Sequence, residues 1–391
     1  MRTTLRAVTL GGLLSLGLAA SALPSGAAGA ARATPKPTRR VDLEHPIFSH
    51  PTRITNRLFP IAHVDQALMF GAEADVSLRQ EVTLLDRTKT ISWAGQEFQA
   101  VVSQFVAHGD GQIVEVATDY FAQADDGSVW YLGEDVTSYA DGLPQSHEGS
   151  WLAGREGPGG MIMPAHPQPG DVYRTENIPG LVLEETTVMA TGLTLPGPTG
   201  PVHGAIRVQE HPADGNLEDK IFAPGYGEFI ASVPASEELV STAVSVPTDE
   251  APGEAPAGLD RLDATASALF RDGATQPWTH LTALVNDARR AWTSVESGPV
   301  PPLLVEQTSG VLDSLDAAVA QRSRSDLRQA AVKLTEATLD LQMQYEDVAD
   351  VDEGRIVAWG HQELLDQAAG NVAGVRSDRV IIKAIEDRVG G

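Results

Sequence analysis

Between residues 47 and 246 the apolar residues fall in short runs, some alternating with polar residues and some continuous, bounded by clusters of Gly, Pro and Asp. Runs of that length and spacing predict β-strands. The candidates are 67–70, 76–85, 90–93, 98–106, 112–123, 129–133, 181–188, 202–210, 218–222 and 228–233. No helical stretch long enough for a parallel crossover separates them, so the sheet is predicted to be antiparallel: a β sandwich or a curved, barrel-like sheet. HGDGQ (108–112) and ADDGS (124–128) place Gly where a positive φ is needed and mark two hairpin turns.

From residue 260 the period changes. Trp278, Leu281, Val285, Ala288 and Trp292 recur at spacings of three and four, as do Leu304, Thr308, Val311, Leu315 and Ala318. Leu327, Ala331, Leu334, Thr338, Leu341 and Tyr345 form a third seam, with Ser323 and Asp326 as its N-terminal cap. Two more helices are predicted over 352–369 and 372–389, divided by Gly370 and Asn371. Short connections make neighbours antiparallel, so 260–391 is expected to be an up-and-down helical bundle. The segment between the two textures, PTDEAPGEAPAGL (247–259), reads as a linker. The fold class is therefore α+β with the two parts segregated, and so long a chain is expected to form two domains.

The N-terminus stands apart from both. Arg2 and Arg6 precede an apolar stretch at 8–20, and Ala20-Ser21-Ala22 fits a cleavage site, so 1–22 reads as a secretory signal peptide. The apolar stretch is shorter than the roughly 20 residues a spanning helix needs, so no membrane span is expected after cleavage. Residues 23–46, rich in Ala, Pro, Gly and cations, read as a flexible tether. The expected location is extracellular. Cysteine is absent from the chain, which removes disulfides, thiolate metal sites and Cys nucleophiles.

Charge separates the two parts further. The formal net charge is −25; residues 42–257 carry 32 Asp and Glu against 9 Lys and Arg, while 258–391 carry 21 against 13. An acidic field of this size repels nucleic acid and anionic lipid and favours cations or basic partners.

Candidate chemistry gathers in YFAQADDGSVWYLGED (120–135). With Gly127 as the sixth residue of a calcium loop of the EF-hand type, the first, third, fifth and twelfth positions are Ala122, Ala124, Asp126 and Gly133, so that pattern fails. A calcium site drawn from separate loops would use Asp125, Asp126, Glu134 and Asp135, and no other cofactor is expected. A glycosidase pair would set Glu134 beside Trp130 and Tyr131. The favoured reading is a plain hairpin turn. In GREGPGGMIMPAHPQPGD (154–171) the Gly and Pro residues force an irregular loop, read as a lid whose Met161, Ile162 and Met163 are buried on the sheet or held for a ligand. His361 reads as a core or interface residue, and His166 as an exposed loop residue without a second ligand. The mature chain contains no Gly-x-Ser-x-Gly, His-Glu-x-x-His or Ser-x-x-Lys.

NRLFP (56–60), the 119–136 hairpin, GSWLAGREGPGGMIMPAHPQPGDVYRTE (149–176) and IFAPGYGEF (221–229) together resemble a family of uncharacterised exported bacterial β domains, over roughly residues 52–245. Phe222 stands where that family has Tyr. The helical half, in LDLQMQY (339–345) and VDEGRIVAWGHQELLDQAAG (351–370), resembles helical tails of exported actinobacterial proteins. Neither resemblance implies an activity, a catalytic residue or a ligand. The resulting expectation is a secreted or envelope-associated, non-catalytic binding module, its partner a small ligand or an envelope protein. Trp130, Tyr131, Trp151, Met161, Met163 and His166 are its candidate pocket or lid residues. Two rivals stand beside it. A secreted hydrolase would bring together a pair among Asp119, Glu134, Asp135 and His166, and a purely structural envelope protein would have no pocket with convergent polar groups.

Overall fold

The computed structural model describes residues 38–43, 45–213, 215–248 and 253–390. The expected signal peptide and cleavage site (1–22), residues 23–37 of the expected tether and 249–252 of the expected linker lie outside the described residues. The strands are β1 (Arg39–Arg40), β2 (Val64–Glu73), β3 (Val76–Trp93), β4 (Gln96–Gly109), β5 (Gln112–Gln123), β6 (Val129–Ala140), β7 (Leu143–Ser146), β8 (Trp151–Leu152), β9 (Gly160–Met163), β10 (Asp171–Ile178), β11 (Val182–Gly197), β12 (Gly200–Pro212), β13 (Glu218–Ala223), β14 (Gly227–Val233) and β15 (Glu238–Pro247). They are followed by six helices, α1 (Ala257–Asp272), α2 (Trp278–Glu296), α3 (Pro302–Gln321), α4 (Arg324–Gln342), α5 (Val348–Ala369) and α6 (Val372–Val389).

All the described strands belong to one sheet, in the order β1-β10-β11-β12-β13-β14-β15-β2-β3-β4-β5-β6-β7, with β8 and β9 both paired to β6. Every ladder is antiparallel except β1 with β10. A β sandwich is therefore excluded in favour of one curved, unclosed sheet. Bulges supply the bend: the runs 76–85 and 90–93 are one 18-residue strand whose register shifts between Leu85 and Thr88. The curl brings β9, at one end of the strand order, against β10 near the other. There the two backbones approach so closely that a Cβ on Gly160 would lie 1.8 Å from the carbonyl oxygen of Thr175. Arg39–Arg40, within the segment expected as tether, lies along the sheet because Arg39 pairs with Asp171 at 2.9 Å and Arg40 with Glu185 at 2.7 Å.

The helices cover the outer face of the sheet. On β2, Leu68 points outward into the helical core while its neighbours Ala67 and Met69 point inward, as strand alternation requires. Ala243 and Val244 of β15 join the same core, so the helical part and the sheet share buried surface. Beside this apolar seam lies a layer of buried ion pairs. Arg79 of β3 meets Asp340 of α4 at 2.6 Å, Arg355 of α5 meets Asp340 at 3.1 Å and Asp352 at 2.8 Å, and Arg388 of α6 meets Asp352 at 2.6 Å and Glu81 at 2.9 Å. Such pairs add little net stability, but removing one member strands the others. The Ser323 hydroxyl accepts from the Asp326 N–H at the start of α4, the cap its spacing predicts.

Candidate functional site

The concave side of the sheet encloses a cavity of about 200 Å³. One wall comes from β2 to β6 and is mostly apolar, with Met69, Val82, Phe105 and Phe121 beside Gln80, Ser103 and Asp119. The opposite wall comes from β10 to β13 and carries Glu176, Glu184, Glu210, Glu218 and Lys220. Alternation along β13 turns Glu218 and Lys220 to the same side, and a bulge on β10 between Arg174 and Glu176 lets the consecutive Thr175 and Glu176 both face inward. Phe59, Pro60 and Ile61 cap the space together with Tyr226, Gly227 and Glu228. Asn56 pins this cap: its side-chain amide donates to the carbonyls of Gly127 and Pro164, both at 3.1 Å, and its oxygen accepts from the Leu58 N–H. The Gly225 N–H donates to the Arg57 carbonyl at 2.8 Å, tying the two cap segments together.

Lys220 is the single cation of the acid wall, 2.8 Å from Glu210, 3.5 Å from Glu228 and 3.7 Å from Glu218. Burial opposes its charge, but Glu210, Glu228 and Glu218 outweigh burial and keep the ammonium protonated. Glu176 and Glu210 are both pushed well above the usual carboxylate range by burial and then by Glu184, with Lys220 pulling the other way. Across the cavity, Tyr131 donates to Asp119 at 3.0 Å. Burial raises Asp119 to about 7 even so. Glu134, opposite Asp119 in the ladder, is driven up by burial, then by Glu176 and Asp119. These carboxyls form one interacting set in which burial and mutual repulsion favour the protonated forms.

The residues singled out by sequence fall in several places. Tyr131 lines the cavity. Trp130, Trp151, Met161 and Met163 are buried in the aromatic and aliphatic core behind its walls, and Ile162, between the two methionines, faces the cavity instead. The segment read as a lid thus contributes a strand to the wall. His166 opens onto a separate surface depression with Asn56, Arg57, Asp126 and Gln168. Asp125 accepts from the Ser49 N–H and hydroxyl, and Asp126 accepts from those of Ser128, whose oxygen in turn receives the Trp130 indole N–H. Glu134 and Asp135, adjacent on β6, point to opposite faces, Glu134 buried and Asp135 exposed. The four acids of the calcium alternative are therefore dispersed, and no group of three or more His, Asp or Glu is placed to hold a metal ion among the described residues. Of the hydrolase quartet, Asp119 and Glu134 come together, while Asp135 and His166 lie elsewhere. Glu176, Glu184, Glu210, Glu218 and Lys220 escaped the sequence reading; EDKIF (218–222) is charged at three consecutive positions, so nothing in it marks Glu218 and Lys220 as facing inward and Asp219 as facing out. No family model, curated protein or solved structure matches the chain.

Proposed function

We propose that the protein is an exported, non-catalytic binding module whose curved sheet holds a small ligand in the cavity between the acid wall and the apolar wall. One observation carries this reading. Gln80 Oε1, Ser103 Oγ and Glu176 Oε1, on residues only 2 %, 1 % and 6 % exposed, converge on the same space from three strands, and none has a hydrogen-bond partner. Unpartnered buried polar atoms occur elsewhere in the molecule too, as at Thr308 and Asp378, but here three of them line one cavity, which is the arrangement a binding site needs. The helical part, locked to the outer face through Arg79–Asp340, Arg355–Gln66 and Arg388–Glu81, buttresses the sheet and leaves the concave side to the ligand.

A second reading, acid–base catalysis, draws on Asp119, whose ionisation near 7 beside Tyr131 suits proton transfer. Turnover abolished by Asp119→Asn with ligand affinity unchanged would favour it. The binding reading is tested by thermal shift with three one-ring probes, phenethylamine, phenethyl alcohol and 3-phenylpropanoate, on the wild type and on Ala117→Leu, which fills the cavity from β5. At least one probe is expected to raise the melting temperature of the wild type and not of the filled variant. No rise with any probe, or a rise that survives filling, overturns the reading.

A further inference from the structure

The distribution of charge around the cavity identifies the chemical class of its ligand, an inference that rests on the binding reading above. We propose that the ligand is a monoamine with a compact apolar body, its ammonium seated against Glu176 and Glu184 and its body against the Phe59, Met69 and Phe105 side.

Six carboxyls line the cavity, Asp119 on the apolar wall and Glu176, Glu184, Glu210, Glu218 and Glu228 around the other, and one cation answers them. Lys220 is committed to Glu210, Glu218 and Glu228, and neither Glu176 nor Glu184 lies within ion-pair distance of it. Glu184 accepts from the Thr175 hydroxyl, whereas Glu176 Oε1 accepts nothing. Across the cavity Gln80 Oε1, outside the acid cluster and 2 % exposed, is a second unfilled acceptor, and the Ser103 hydroxyl serves as either donor or acceptor. The unmet hydrogen-bonding capacity is therefore dominated by acceptors, and a ligand that satisfies it must bring donors. An ammonium brings two or three donors together with the charge the acid wall lacks. An anion would meet six carboxyl groups in a space of low dielectric, and a neutral donor would do nothing to offset the mutual repulsion that raises Glu176 and Glu210.

Number and size narrow the class further. Lys220 already serves three of the five acids on this wall, and the two it leaves, Glu176 and Glu184, are partners in the β10–β11 ladder, so one ammonium reaches both, which fits a monoamine. An apolar cavity of about 150 Å³ holds benzene. The ≈ 200 Å³ here accommodates one ring with a short aminoalkyl arm. Burial and Glu184 both disfavour the charge of Glu176, and an ammonium seated between the two carboxyls offsets both effects.

The test is calorimetric titration of the whole protein with phenethylamine, phenethyl alcohol and 3-phenylpropanoate, in the wild type, Glu176→Gln and Ala117→Leu. Phenethylamine should bind the wild type with one-to-one stoichiometry and about tenfold or more tighter than the alcohol, with the carboxylate not binding. Glu176→Gln, nearly isosteric and uncharged, should lose that preference by a similar factor while still binding the alcohol. Alcohol binding as tight as amine binding in the wild type overturns the amine assignment and leaves the binding reading standing, and this comparison needs no variant to fold. Amine binding that persists in Ala117→Leu also overturns it, since the acidic surface alone would then account for the attraction. If none of the three probes binds the wild type, the binding reading itself fails and the amine assignment goes with it.

Discussion

The α5–α6 hairpin contains a carboxyl pair whose protonation should make stability depend on pH. Asp378 of α6 is fully buried and faces Asp366 of α5, and neither Asp378 oxygen nor Asp366 Oδ2 meets any other polar group, so the two carboxyls have only each other. Burial, then the charge of Asp366, pushes Asp378 up to about 8, with Lys333 opposing. Because this value lies above that of an unfolded Asp, near 4, the stabilising contribution is complete below about pH 4 and is lost as pH rises toward 8. Between about pH 5.5 and pH 8.5 roughly 2.5 units of the shift are expressed, an upper limit of about 3 kcal/mol at 1.36 kcal/mol per unit. Relaxation of the pair roughly halves that, leaving about 1.5 kcal/mol. Asp378→Asn is neutral throughout. Urea unfolding of wild type and variant at the two pH values is the assay, and the quantity to follow is the stability of the variant minus that of the wild type. It should rise by about 1.5 kcal/mol from the lower to the higher pH. Taking the difference cancels the other raised carboxyls, including Glu176, Glu210 and Glu238. A difference that stays flat or falls with pH would refute the reasoning, whatever its absolute size.

Three further outcomes are expected. Asp125→Asn with Asp126→Asn should cost no more than about 1 kcal/mol, and calcium should leave the melting temperature unchanged against sodium at matched ionic strength, because both acids act as turn acceptors; a calcium-specific rise lost in the double variant contradicts this. Gly160→Ala should cost more than about 2 kcal/mol by urea unfolding and weaken probe binding, because its methyl group would meet the Thr175 carbonyl oxygen at 1.8 Å and part β9 from β10. A near-neutral result would mean that the strands are not in close approach. Asp340→Ala should cost about 3 kcal/mol or more, since it leaves Arg79 and Arg355 buried with one acidic partner fewer each, and an effect below about 1 kcal/mol would show the ion layer to be hydrated.

The parts of the fold legible in the sequence are those where one physical signal acts alone. The helical seams, the Ser323 cap and the ADDGS turn are of this kind: Leu281, Val285 and Leu334 are buried, and Asp126 caps its own turn. β10 was missed because its inward residues include Thr175 and Glu176, so the alternation that marks a half-buried strand is absent. β15 was missed because Ser and Thr break its apolar run although Thr242, Ala243 and Val244 are all buried. The cavity was hidden for a related reason. Alternation shows that the two faces of a strand differ but not which face is enclosed, and Glu210, Glu218 and Lys220 look like solvent-facing positions until the sheet curls around them. The tryptophans and methionines that looked like pocket residues proved to be large core side chains, the commoner fate of such residues.

The claim on which the account depends is that a ligand enters the interior of the sheet, and methyl NMR locates it directly. Among the methyl groups, those of Met69 and Ile162 line the cavity, Met343 lies in the helical core and Met189 is 40 % exposed on β11. Titration with phenethylamine of protein labelled at Met and Ile methyls should shift Met69 and Ile162, with ring-current displacements that saturate together, and leave Met189 and Met343 in place. Saturable shifts at Met189 with Met69 and Ile162 unmoved would place the ligand on the surface and contradict the account.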